Sequence, residues 1–289
     1  MKSKVVCVYH KNCIDGTSSA AVLLMKHPDA NLFSFNYKYS EEEFNSLLSV
    51  IDKDTVVYVL DFSFNIHDLN RLLDKSKKVI MIDHHISVKD KFDENFLSNR
   101  NLEFIYDTEH SGSSLTYKYF FGDKPNKIIE FVEDRDLWRW KFGDHTNHVN
   151  SYLFLFIDNP IKMKDIIENS NVEEILDKGK VINEYKSKLI ESVLEKTKEV
   201  IIRIDSYNVR AYNTNLFQSE IGSVLCKKYD EVVCLFSFSY DYVILSFRGL
   251  EHHNPSALDL AKILGGGGHK NAAGATVSIK KFNDMIQVL

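Results

Sequence analysis

The chain has 289 residues, 44% of them hydrophobic and 12% aromatic, and carries a net charge of −5. This composition excludes a disordered or fibrous chain and suits two ordinary domains. The acid excess argues against coating long nucleic acid, because such binding scales with the phosphates neutralised. No apolar run approaches the roughly 18 residues that mark a membrane span, and a strand pattern begins at Lys4, so neither a membrane span nor a signal peptide is expected. Cys7, Cys13, Cys226 and Cys234 lack zinc-like spacing and read as reduced thiols of a cytoplasmic protein.

The first predicted element is the β-rich run Lys4 to Tyr9 (KVVCVY). His10, Asn12 and Asp15 follow it, and Gly16 opens a small-residue segment that reads as a helix beginning under the strand's end. Thr55 to Leu60 (TVVYVL) is a second such run, ending directly in Asp61. The third is VIMIDHH, where Val79 to Ile82 pass straight into Asp83, His84 and His85. An uninterrupted apolar run fits a strand covered on both faces of a parallel sheet, and the carboxyl ends of such strands line the ligand crevice. His10, Asp15, Asp61, Asp83, His84 and His85 are therefore expected to converge. Adjacent histidines diverge on an extended chain, so both face one ion only if the strand ends at Asp83. Oxygen ligands mixed with imidazole suit Mn²⁺ or Mg²⁺.

Over the first 140 residues, β-runs (4–9, 31–36, 55–60, 78–82, 103–106) alternate with helical patterns (17–26, 41–51, 66–74, 112–121, 125–137). That alternation predicts an α/β lobe with a parallel sheet and covering helices. Within it, Ser111 or Ser113 of HSGSS is placed to cap a helix. In FVEDRDLWRW, Glu133, Asp134 and Asp136 cluster with Arg135 and Arg139, which alone would read as an ion-paired helix end. From Asn171 to about Ile201, Ile175, Ile182 and Leu189 recur every seven residues, with Ser170 and Glu173 forming a capping box; this reads as a long connecting helix.

Beyond it, β-runs near 207–212, 231–238, 241–248 and 275–279 and helices near 216–228 and 256–264 predict a smaller α+β lobe. The runs meeting at Asp241 form an antiparallel hairpin in this reading. Gly265 to Gly268 lead into His269 and Lys270, with Asn271 to Gly274 expected to start a helix whose N-terminus attracts phosphate. Arg248 matches phosphate geometry, and His252 and His253 are expected to be solvated loop residues.

YHKNCIDG (9–16), LDFS (60–63), DHH (83–85), EDRDLW (133–138) and, far downstream, GGGGHKNAAG (265–274) occur in the order of the DHH phosphoesterase superfamily. The chain resembles the branch that carries a C-terminal DHHA1 domain. One departure stands out: many relatives read D-x-D-G, whereas only Asp15 precedes Gly16 here, with Asn12 and Cys13 in the stretch where the other aspartate would lie. The resemblance implies a DHH metal-binding domain over 1–160, a helical linker over 161–203 and a DHHA1-like substrate-binding domain over 204–289. It implies one or two Mn²⁺ or Mg²⁺ ions held by His10, Asp15, Asp61, His84 and Asp134, with Asp134 taken over Asp136, and His10 supplying nitrogen where the aspartate is missing. Asp83 would orient a histidine and His85 would face the substrate phosphate, while Arg248, Gly266, Gly267, Gly268 and His269 hold the substrate. The expected activity is phosphodiester hydrolysis of short oligonucleotides or small nucleotides. Phosphomonoester or polyphosphate hydrolysis, and a catalytically weakened nucleotide-binding module, are the alternatives.

Overall fold

The computed structural model describes residues 4–89, 92–124 and 126–287. Pro125, the first residue of the helix expected over 125–137, lies outside the described residues, as do the outermost positions of the two terminal domains. The backbone divides into two compact units, Met1–Glu184 and Tyr185–Leu289. Among the described residues no helix is long and apolar enough to cross a membrane.

The first unit runs β1 (Lys4–His10), α1 (Ile14–Lys26), β2 (Asn31–Phe35), α2 (Glu41–Ser49), β3 (Thr55–Leu60), α3 (Ile66–Lys75) and β4 (Lys78–Asp83). The short α4 (Ile86–Lys89) and α5 (Glu94–Leu97) lead to β5 (Leu102–Tyr106), and then α6 (Gly112–Phe121), α7 (Lys127–Asp136), α8 (Asp144–Leu153) and α9 (Pro160–Asn169) follow. The five strands are all parallel in the order β2-β1-β3-β4-β5. The chain order reverses between β1 and β3, and at such a switch point loops leave in opposite directions and open a crevice at the carboxyl ends.

Strand alternation sorts the core. Val6, Val8, Val57, Val59, Val79 and Met81 face α2 and α3, whose Phe44, Leu47, Leu69 and Leu72 cover them. Cys7, Tyr9, Tyr58, Leu60, Ile80 and Ile82 face the other way, against Ala20 and Leu23 of α1 and Leu115 of α6. Both faces are covered, which is why these strands read as continuous apolar runs. Each fully buried aliphatic side chain contributes roughly 1.5–3 kcal/mol, a reserve against which the acidic strand ends can be carried.

The long helix α10 covers Val172–Lys196. It starts and ends differently from expectation. Asn171, rather than Ser170, satisfies the amide of Glu173, at 3.0 Å, and Ser170 instead closes α9 through its N–H to the Ile166 carbonyl. At the other end, the β-branched run from Glu199 leaves the helix for β6 (Glu199–Ile204), because it pairs with β7 (Tyr207–Asn213).

The second unit adds α11 (Gln218–Tyr229), β8 (Val233–Ser239), β9 (Tyr242–Arg248), α12 (Ala257–Ile263), β10 (Gly267–His269), β11 (Ala272–Ser278), α13 (Ile279–Met285) and β12 (Ile286–Gln287). Its seven strands lie in the order β10-β11-β9-β8-β7-β6-β12, antiparallel except for β7 with β8. The β8–β9 hairpin is as expected, with Ser239 paired to Tyr242 across its turn. The glycine run is not. Asn271 to Gly274 enter β11 rather than a helix, and His269 pairs with Ala272, so the run is one arm of a β-hairpin and offers no helix N-terminus.

Candidate metal centre

Three strand ends and two helix ends of the first unit build one cluster. His10 is the last residue of β1, and Asn12 turns the chain with φ 56° before Cys13 caps α1 and Asp15 enters its first turn. Asp61 follows β3 with its amide still bonded to the Ile82 carbonyl, at 2.9 Å, and with φ 53°. A left-handed aspartate is costly, and such conformations concentrate where the surroundings over-determine them, as at ligand sites. Asp83 closes β4, and the strand ends there, so His84 and His85 turn to the same side: His84 Nε2 is 3.2 Å and His85 Nδ1 3.8 Å from Asp61 Oδ1.

Asp15 is held from α6. Its Oδ1 accepts from Ser111 Oγ (2.7 Å), Ser113 N (3.0 Å) and Ser113 Oγ (2.5 Å), while Ser111 also caps the helix through Ser114 N. The capping role expected of the HSGSS turn is present, joined to the positioning of Asp15. Gly112 makes the approach possible: a Cβ there would lie 2.7 Å from Asp61 Cβ and 2.9 Å from Asp15 Oδ2.

The expectation for Asp134 is corrected. Its carboxylate is buried and accepts from Lys141 N (2.8 Å), Phe142 N (3.2 Å) and Thr146 Oγ1, so it ties the loop after α7 to the start of α8. Asp136, two residues on, turns the other way and brings Oδ2 to 3.4 Å from His84 Nε2. The rest of the motif is structural: Glu133 accepts from Ser111 N at 3.1 Å, and Arg135 stacks on Trp138 with its guanidinium 4.2 Å from the ring centre.

The electrostatics show a strong demand for cationic charge. Asp15, Asp61 and Asp83 are essentially inaccessible to solvent. Burial and the Asp61 charge raise Asp15 to about 6, against the pull of His84 and the two serines. Burial and the charges on Asp15 and Asp61 likewise push the Asp136 carboxyl well above its ordinary range. Asp61 would also be raised by burial, but His10, His84 and His85 outweigh this and hold it well below the carboxylate range. For His84, burial favours the neutral ring, yet Asp61, Asp15 and Asp136 win and raise it to about 10. His85 is raised too: burial opposes its charge, while the hydrogen bond to Asp83 and the charges of Asp61 and Asp83 favour it.

Three carboxylate oxygens here have buried positions without an aligned hydrogen-bond donor: Asp15 Oδ2, Asp61 Oδ1 and Asp83 Oδ2; His10 Nδ1 is a fourth such atom. Unsatisfied buried acceptors are costly, roughly 1–3 kcal/mol each and more when charged. A cation held by Asp15, Asp61 and His10 would remove that cost for their atoms, and the mixed oxygen and imidazole donors fit a divalent metal. In this cluster, among the described residues, two groups of ligand atoms lie within 4.8 Å of one another beyond the Asp61–His84–His85 set: His10–Cys13–Asp61 and Asp15–His84–Asp136. Asp83 Oδ1 receives His85 Nδ1 (2.7 Å) together with the amides of His84 and His85, so the histidine it orients is His85.

Three participants went unrecognised in the sequence. In the sequence Asp136 stands beside an equally acidic neighbour, and Cys13 reads only as part of the departure from D-x-D-G. Tyr37, in no motif, sets its ring edge-on to His10 (5.2 Å) and His85 (6.0 Å) and stacks on Phe62.

The expected substrate residues Arg248, Gly266, Gly267, Gly268 and His269 all lie in the second unit. Arg248 ends β9 next to β11, with its guanidinium donating to Phe247 O (2.9 Å) and Ser219 Oγ (3.2 Å). Gly268 needs its φ of 140°, and a Cβ there would meet Ala273 Cα at 2.6 Å, whereas a Cβ on exposed Gly267 meets nothing within 4 Å. His252 is the solvated loop residue expected, its side chain 64% exposed, but His253 is not. His253 is 7% exposed, and both Nε2 atoms face Asp230 Oδ1, at 2.8 and 3.3 Å. Leu250 N donates to His253 Nδ1, so the ring proton sits on Nε2 toward Asp230, the reverse of what metal ligation through Nε2 requires.

No family model matches the chain. It is 26% identical, over 94% of its length and 67% of the relative's, to an uncharacterized protein of Acanthamoeba polyphaga mimivirus. Three solved structures share its backbone. The pGpG-specific phosphodiesterase PggH of Vibrio cholerae covers 97% of this chain and 95% of its own with TM-score 0.55 and 11% identity. Exonuclease RecJ bound to manganese covers 98% and 88%, with TM-score 0.52 and 15% identity. RecJ of Thermus thermophilus with Mn²⁺ covers 98% of this chain and 51% of its own, with TM-score 0.56 and 14% identity. The chain therefore shares the backbone fold of PggH and RecJ.

Proposed function

We propose that this protein is a divalent-metal-dependent phosphodiesterase that hydrolyses short oligonucleotides or dinucleotides. The observation that carries the reading is the convergence of His10, Asp15, Asp61, His84 and Asp136 at the β1–β3 switch point, with buried carboxylate oxygens left without aligned donors. That two proteins with the same fold are a pGpG-specific phosphodiesterase and an exonuclease bound to manganese supports the substrate class. Mn²⁺ or Mg²⁺ at the cluster would supply charge stabilisation for phosphoryl transfer and lower the pKa of water.

This chain's own groups do the rest. Asp61 offers one oxygen toward His10 and Cys13 and the other toward His84, so one carboxylate serves both halves of the cluster. His85, fixed through Nδ1 by Asp83, keeps Nε2 available, and its upward pKa shift favours the charged ring, suited to a substrate phosphate and to protonating a leaving oxygen. Tyr37 sets its ring edge-on beside His85. We place the nucleotide grip at Arg248 and the hairpin arm Gly266–His269 of the second unit, where exposed Gly267 leaves its backbone open to a ligand.

A substrate panel with Mn²⁺ tests this: a dinucleotide, longer RNA, a nucleoside 3′,5′-bisphosphate and polyphosphate. The reading expects the dinucleotide or short RNA to turn over fastest. Equal rates on polyphosphate, indifferent to a nucleobase, would favour a phosphomonoesterase or polyphosphatase. Binding without turnover of any would favour a nucleotide-binding module.

A further inference from the structure

Cys13 lies two residues before Asp15, the position of the first aspartate in D-x-D-G. Its Sγ is 3.4 Å from Asp61 Oδ2, and His10 Nδ1 is 3.5 Å from the same oxygen. With bonds of about 2.0 Å to nitrogen or oxygen and about 2.3 Å to sulfur, donor atoms around one tetrahedral ion sit about 3.3–3.5 Å apart. The separations are therefore those of polyhedron edges. Beside this group, Asp61 is 1% exposed, and its Oδ1, like His10 Nδ1, has no aligned hydrogen-bond partner. The remaining cysteines, Cys7, Cys226 and Cys234, are buried in hydrophobic cores elsewhere.

We propose that Cys13, His10 and Asp61 form a thiolate-containing metal position that selects a borderline-soft divalent ion such as Zn²⁺ or Co²⁺, beside the harder position of Asp15, His84 and Asp136. This deepens the metal-centre reading above and rests on it. On binding, the Sγ–H bond breaks, its proton leaves to solvent and the sulfur lone pair forms the bond to the ion, so no redox partner is needed. Soft thiolate ligands favour such ions over Mg²⁺, whereas a carboxylate at the same place favours Mn²⁺ and Mg²⁺.

The test uses the full chain, stripped with a chelator and titrated with Co²⁺. A thiolate ligand produces a sulfur-to-cobalt charge-transfer band in the near ultraviolet, read without any activity assay. Wild type should show the band. Cys13→Ser should lose it while keeping the visible absorption of Co²⁺ at the harder position. Serine accepts the Gly16 amide as Cys13 does, so the cap of α1 is preserved. Zn²⁺ affinity should fall in Cys13→Ser by at least about tenfold, the size of even an outer ligand-orienting loss. Cys13→Asp should raise the ratio of Mn²⁺ to Zn²⁺ affinity by a similar factor. Bound Co²⁺ without the band in wild type, or a band that persists in Cys13→Ser, overturns the assignment. Absence of Co²⁺ binding by either protein would overturn the metal centre as well. Absence of phosphodiester hydrolysis with the band present would overturn the proposed activity and leave the Cys13 assignment standing.

Discussion

Asp134→Asn and Asp136→Asn are nearly the same change two residues apart, and the structure gives them opposite consequences. Asp134 uses both oxygens on Lys141 N, Phe142 N and Thr146 Oγ1. An amide keeps one acceptor and turns an NH₂ toward a donor, and hydrogen bonds to a charged group are worth about 1.5–3 kcal/mol. Losing one outright and misdirecting another costs roughly 2–4 kcal/mol, or roughly 5–15 °C in Tm for a unit of this size. Asp136 carries no such latch; its carboxylate is crowded by Asp15 and Asp61, so Asn there relieves repulsion and leaves Tm unchanged or slightly raised. Its cost falls on the metal. The assay is differential scanning calorimetry with chelator present, beside Mn²⁺ titration calorimetry. Asp134→Asn should melt early but bind Mn²⁺ below its Tm, and Asp136→Asn should melt normally and bind at least about tenfold more weakly. Normal Mn²⁺ binding by Asp136→Asn, with loss in a thermally unperturbed Asp134→Asn, would refute the assignment.

His84→Ala removes the group closest to three carboxylates, and turnover should fall by far more than about tenfold; a smaller loss would remove His84 from the centre. Because His84 is raised to about 10, it holds a proton at neutral pH that ligation displaces. Metal affinity should therefore climb as pH rises, by up to about tenfold per unit, and level off above about 10; isothermal titration in buffers of different ionisation enthalpy should register the released proton. Gly267→Val adds a side chain where nothing lies within 4 Å, so folding should be untouched. Dinucleotide hydrolysis should drop while bis(p-nitrophenyl) phosphate, which makes no remote contacts, is spared; equal losses would place the glycine run in chemistry or folding.

The parallel sheet and the convergence of His10, Asp15, Asp61, His84 and His85 were legible because buried strands are continuous apolar runs that stop abruptly at their charged ends. The choice between Asp134 and Asp136 was not. Two positions apart on a helix face opposite ways, and which face meets the cluster depends on the return of Lys141 to Thr146, a non-local fact. The D-x-D-G spacing did point at Cys13, since the missing aspartate falls on it, but spacing says nothing about whether a thiol is near His10. The glycine run misled for another reason: its helix-like sequel is overridden by pairing with Ser246, Phe247 and Arg248 of β9. Asp230, which partners His252 and His253, comes from the far end of α11, beyond reach of any local pattern.

The switch point also governs how the protein assembles. His10 and Asp61 belong to neighbouring strands, but β2 and α2 intervene in the chain, and His84 waits on β4. Before β1 and β3 are in register no two of these ligands are held together, so an ion has little to grasp in the early chain. A metal that binds only the finished sheet stabilises by mass action, and contacts absent from the folding transition state slow unfolding rather than speed folding. Ion concentration should therefore lengthen the native lifetime of the first unit while leaving its refolding rate nearly constant.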